Sequence, residues 1–132
     1  MSFTTEIYAV MIADSSLNGM VDGGIHHENM IDEWLADDTY NEWVVYDFHK
    51  QAQEDCITSK NVYMTYALSI MVIQRNTNTK IDVITGRLLQ YLNNHGSGNI
   101  IDIGFKNDLA GLDQIKNVYT NTLEFECVYI ET

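Results

Sequence analysis

The sequence contains no proline among its 132 residues. Ordinary usage of roughly 5% would place about six or seven, so the shortfall is real, although it carries no single meaning. Cysteine is nearly as scarce. Cys56 and Cys127 are the only two, too few for a disulfide framework, and neither belongs to a CxxC pair. Both thiols read as free, with Cys127 buried, in a chain made in a reducing cell. Basic residues are few, with 7 Lys and Arg against 19 Asp and Glu, a formal charge of −12. Broad binding to a nucleic-acid backbone needs clustered Lys and Arg and is therefore excluded. Long hydrophobic runs are absent as well. The longest, Val62 to Ile73, includes Thr65 and Ser69 and falls well short of the roughly 20 apolar residues of a spanning helix. The opening residues Met1 to Glu6 lack the basic region of a signal peptide, so a soluble chain that does not contact membranes is expected.

What is present argues for folding. Hydrophobic residues make up 45% of the chain, too many for a disordered acidic tail, and the length suits one domain over residues 1–132. Ile7, Val10 and Met11 fall at helical spacing behind Thr4 and Thr5 as caps. Asp14 restarts the pattern, with Leu17, Met20 and Val21 apolar, and Asp22-Gly23-Gly24 is expected to end it. A short helix is expected from Glu28 to Leu35, then a strand from Trp43 to Phe48. Gln51 to Asn61 reads as a polar connecting loop. Val62, Met64, Tyr66, Leu68, Ile70 and Val72 form an apolar row at period two. The opposite row of that strand is mixed but hardly polar, which implies a covered central strand or burial by another subunit.

Ile81, Ile84, Leu88 and Leu92 then repeat as a helix behind Thr79, with a glycine stop at Asn94-His95-Gly96. Asn99 to Phe105 reads as a strand with Ile101, Ile103 and Phe105 on one face, and Lys106 to Asn117 as a loop or single turn. Leu123, Phe125, Cys127 and Tyr129 alternate with Thr122, Glu124 and Glu126 in a closing strand. The order α, β, β, α, β, β implies a single-domain α+β fold, an antiparallel sheet with helices packed on one face.

No motif carries chemistry. His26-His27 invites a metal, with Glu28 or His49, but adjacent side chains point apart and lack the i, i+4 spacing of a helical site. Asp32-Glu33, Asp37-Asp38 and Glu54-Asp55 lack the spacing of a calcium loop and read as solvated charge. Gly96-Ser97-Gly98 has no basic residue to cradle phosphate. Glu54-Asp55 would raise the pKa of Cys56 rather than activate it. The eight tyrosines have no interleaved basic residues for base stacking. No catalytic, cofactor-binding or metal residue is expected, and the protein is not expected to be an enzyme.

The run from Ile7 to Ile25, through Ala13-Asp14 and on to Gly23-Gly24-Ile25, resembles the opening of the small tail-completion (tail-terminator) proteins of tailed bacteriophages. The strand at Trp43 to Tyr46, the long strand 62–73, the helix 79–95 and the closing strand from Leu123 to Ile130 are similar in order and length. Where that family commonly has a proline before its first strand, this chain has Trp43. The resemblance implies a structural virion protein of the tail or neck, assembled in the host cytoplasm. Its partners would be itself in a ring of six subunits, the tail tube protein, and a head-completion or connector protein, with DNA passing through the lumen unbound. Related folds serve as head–tail connector or adaptor rings of the neck. An acidic DNA-mimic inhibitor and a small-ligand enzyme stay open as other classes. On the ring reading, Tyr63, Thr65 and Met71 on the second face of the long strand, with Gln51, Gln53, Glu54 and Asp55 in the polar loop, are the expected contacts with neighbours. The carboxylates suit a channel that repels phosphate, or simply keep the chain in solution.

Overall fold

A buried apolar stripe of Phe3, Ile7, Val10 and Met11 defines helix α1 (Phe3–Ile12), and α2 (Ser15–Met20) follows after a break. The break occurs where expected. Asp14 has extended backbone at the N-cap of α2, and the Asn18 side chain donates to the carbonyls of Ile12 and Asp14 at 2.9 and 2.8 Å, closing the end of α1. The computed structural model describes residues 3–27, 29–55, 62–96 and 98–131.

Five strands form one sheet: β1 (Ile25–His26), β2 (Glu42–Asp55), β3 (Val62–Arg75), β4 (Ile100–Asp113) and β5 (Val118–Glu131), in the spatial order β1-β2-β3-β5-β4. Helix α3 (Ile31–Leu35) lies between β1 and β2, and α4 (Ile81–Leu92) between β3 and β4. The chain is one α+β domain, but the sheet is mixed rather than purely antiparallel, because β1 pairs parallel with β2 through Ile25↔Val44 and His26↔Val45. A two-residue strand offers no alternation to read. Gly23, expected as a helix stop, serves this pairing instead. A Cβ there would lie 2.2 Å from the Trp43 ring, so only glycine lets the loop approach β2 this closely.

Helices α1, α2 and α4 cover one face. There Leu68, Ile70 and Val72 of β3 and Leu123, Phe125, Cys127 and Tyr129 of β5 pack on Ile7, Met11, Leu17, Ile84, Leu88 and Leu92, the rows that the period-two and helical patterns marked. Asp14, buried between α1 and α2, ties these helices to α4, with both carboxylate oxygens 2.7 Å from the Arg87 guanidinium. Not all helices share this face. Ile31, Trp34 and Leu35 of α3 pack on the opposite one, against Trp43, Val45, Ile73 and Val118. Arg75 holds that second cluster closed: its guanidinium donates to the carbonyls of Leu35, Asp37 and Tyr40 and lies over the Trp43 ring.

Both hairpins run further than their side-chain patterns. Gln51 to Asp55, expected in a loop, continue β2, with Ala52↔Thr65, Gln53↔Met64, Glu54↔Tyr63 and Asp55↔Val62 paired. Residues 56–61, including Cys56, lie outside the described residues. Lys106 to Asp113, also expected as loop, continue β4 along β5. A register shift between Ile100 and Asp102 separates Ile101 from Ile103. Ile101 is exposed while Ile100 and Ile103 are buried, so Ile101, Ile103 and Phe105 do not form the single buried row expected. Helix α4 ends earlier than expected, and the left-handed residue beyond it is Asn94 (φ 63°), not Gly96. Asparagine tolerates that conformation better than most residues.

Candidate assembly interface

Strand β3 is central, with β2 and β5 at its sides, so its second face exists wherever nothing lies over it. Helix α3 covers only the end bearing Ile73 and Met71. Towards the other end Tyr63, Thr65, Ala67 and Ser69 are half-buried, shielded by neighbouring strands. On the same face Asp47 and His49 of β2 and Glu124 and Glu126 of β5 are exposed, at register positions beside Ser69 and Ala67. Ala67, Ser69, His49, Glu124 and Glu126, with Gln51 and Lys106, line an open basin. It is small-residue in the middle, acidic along β5, and basic only at its margin. Like charges at i, i+2 on one strand face repel one another, and a partner that supplies cations or water relieves that repulsion.

The expected contact residues fall on this face in part. Tyr63, Thr65 and Met71 share it, half-buried, and Gln51 borders the basin. Gln51 occupies a bulge between Lys50 and Ala52, and a bulge resets the alternation of the strand beyond it. In backbone register Gln53, Glu54 and Asp55 pair with Met64, Tyr63 and Val62.

The far end of the β4–β5 hairpin was not foreseen. Leu109, Leu112 and Ile115 are 65%, 47% and 98% exposed. Three apolar residues inside an apparent loop were the available signal. The β4–β5 turn lies at the Arg75 end of β3, opposite the Val62 end, because Arg75 pairs with Val118 and Val62 with Glu131. At about 3.3 Å per residue, the 14-residue β3 places its two ends on the order of 45 Å apart.

Several other titratable groups have defined structural partners. Arg87 hydrogen-bonding keeps Asp14 below the ordinary carboxylate range, against the opposing effect of burial. Burial, and then the neighbouring Asp22, push the Glu42 carboxyl up, while Lys80 at 3.0 Å opposes them. Asp22 is held low despite burial, chiefly by the Glu42 and Asn41 amides. Burial pushes the Cys127 thiol up to about 12, so at neutral pH it is a protonated core residue rather than a nucleophile. The adjacent histidines engage different neighbours. The His26 ring lies 2.6 Å from the Gly23 carbonyl and packs on Trp34, whereas His27 meets the Tyr46 carbonyl and stacks on Tyr46 and Phe48. Among the described residues no three His, Cys, Asp or Glu side chains converge as a metal site.

In fold, the chain is similar to a chain from the virion of a native gene transfer agent (GTA) particle. The TM-score is 0.69 at 12% sequence identity, covering 95% of this chain and 92% of that one. No protein-family model matches the sequence, and no curated protein matches it. The likeness to the GTA virion chain is thus one of backbone architecture, extending over all but a small share of the chain.

Proposed function

We propose that this protein is a structural virion component, a ring-forming subunit that terminates a phage tail tube and joins it to the head–tail connector. The observation that carries the reading is the near end-to-end fold likeness to a chain of a GTA virion. Three features support it. The open face of the central strand offers half-buried small residues to a neighbour. The β4–β5 turn, with exposed Leu112 and Ile115, lies at the opposite end of β3 from Val62, so a subunit in a ring can touch layers above and below it. The charge of −12 repels phosphate along a lumen through which DNA slides.

A closed ring uses a heterologous contact, in which one surface meets a different surface on the next copy. The open sheet face and the β4–β5 hairpin are the two surfaces assigned to it. Negative-stain microscopy of the purified protein, and of particles from cells that lack it, tests the reading. The expected result is six-fold rings, and tails of uncontrolled length or unjoined heads and tails in its absence. Rings found between portal and tail, with tail length unchanged in the absence of the protein, would assign it to the neck as an adaptor instead. A strict monomer that is missing from particles would overturn both roles.

A further inference from the structure

Strand β4 closes the sheet on one side, with β5 as its hydrogen-bonded neighbour. Its outer edge is occupied near the start. The Asn94 amide donates to the Ile103 carbonyl at 2.7 Å, and the Phe105 amide donates to the Asn93 side chain at 3.1 Å. From Lys106 to Asp113, among the described residues, no further hydrogen bond reaches that backbone edge, and every residue is exposed. An open edge of this length is a template for another strand, and proteins that keep an edge single guard it with lysine or proline. This stretch has Lys106 alone for that purpose, no proline, and exposed Leu109 and Leu112.

Charge decides what can lie there. Two copies carrying −12 each repel one another, so they approach most readily where the charge is locally balanced. Three aspartates against Lys106 and Lys116 leave residues 100–117 with a net charge of −1, while the remainder of the chain carries −11. The opposite edge of the sheet is a poorer match. There β1 and His27 occupy β2 at Val44 to Tyr46, and its remaining length has Asp47, Glu54 and Asp55 against Lys50. We infer that two copies of this chain pair antiparallel along the 106–113 edge, about a two-fold axis at Ala110. Asn107, Leu109, Gly111 and Asp113 pair with Glu124, Thr122, Thr120 and Val118, the open-face row of β5. About that axis Leu109 meets the partner's Gly111, a large residue against the smallest. Asn107 meets the partner's Asp113, which brings Lys106, at the bulge beside Asn107, next to that carboxylate. No two carboxylates stand opposite. An axis at Asp108 would oppose two aspartates, a destabilising pair, and an axis at Leu109 would part Lys106 from Asp113. The contact is isologous and uses the side of β4, whereas the ring reading uses the turn beyond it, so neither depends on the other.

Sedimentation velocity of the full chain over a concentration series, at constant ionic strength, tests the pairing. Reversible two-chain association is expected, with hydrogen exchange at the amides of residues 107–113 slowing as concentration rises. Leu109→Lys sets two lysines diagonally across the axis, and Lys106→Glu sets a second carboxylate beside Asp113. Both positions are exposed, so the fold should hold, and each variant is expected to weaken association at least tenfold. In Thr65→Lys, whose open face is blocked to the ring contact, the pair is expected to persist, which separates the failure of one reading from that of the other. A single-chain mass throughout the series, association unchanged in Leu109→Lys or Lys106→Glu, exchange at 107–113 indifferent to concentration, or loss of the pair in Thr65→Lys would overturn the inference.

Discussion

The two faces of the sheet share every backbone hydrogen bond yet differ in almost everything else. On one, Leu68, Ile70 and Val72 are at most 1% exposed beneath three helices. On the other, Ala67, Ser69 and Met71 alternate with them, half-buried beside exposed Glu124 and Glu126. Among the described residues only α3, pinned by Arg75, covers part of that second face. The contrast shows where stability resides. Close packing of apolar side chains makes the helical face costly to alter, whereas the open face is held in shape by its strands.

That division can be broken from either side. The largest effect is expected from Leu88→Ala beneath α4. Its fully buried side chain leaves a cavity, and urea unfolding should show a loss of about 2–5 kcal/mol. Arg75→Leu comes next. It strands the carbonyls of Leu35, Asp37 and Tyr40, and a loss of about 2–3 kcal/mol is expected from removing charged hydrogen bonds and leaving their acceptors unmet. Trp34 and Trp43 are stacked with centroids 5.7 Å apart, so tryptophan fluorescence should report loosening of α3 in that variant while the helical face keeps its far-UV signal.

Asp14→Asn should cost less and reveal itself through pH. The folded carboxyl titrates below the ordinary 3.8 because Arg87 holds it ionised. Its contribution is therefore full above 3.8 and disappears as pH falls through the lower folded value. The stability gap between wild type and Asp14→Asn should be constant at neutral pH and narrow in strong acid; a gap that widens there would contradict the pairing. The smallest stability effect belongs to the exposed surfaces proposed for contact. Ile115→Asp at the β4–β5 turn should change unfolding by less than about 0.5 kcal/mol. If that turn meets a neighbour, the same substitution should abolish ring formation in sedimentation and microscopy. Thr65→Lys should do likewise from the open face.

Legibility followed the same boundary. The covered face could be read from the sequence because burial selects side chains at fixed periods: Ile81, Ile84, Leu88 and Leu92 on α4, and the even-numbered row of β3. Gln51 to Asp55 and Lys106 to Asp113 could not, because their strand character comes from backbone pairing to β3 and β5 rather than from any burial of their own. The bulges at Gln51 and beside Ile101 were hidden for a related reason. They shift register without changing composition, so residues expected together on one face came apart. Glu6 reads as an ordinary first-turn acid until Asn99 and Gly98, more than ninety positions away, close around it.

By itself, the sequence determined the class of the fold, the helical and central-strand faces of its main core, the buried state of Cys127 and the lack of clustered basic charge. Each depends on local periodicity or on counting, quantities that do not require knowing which segments meet. Only the tertiary structure decided the parallel β1–β2 pair, the full reach of the paired strands, the position of α3 on the opposite face, and the enclosure of Glu6 by Asn99 and Gly98. These follow from partners distant in the chain, and hydrogen bonding to the backbone is indifferent to the side chains by which a strand would be recognised.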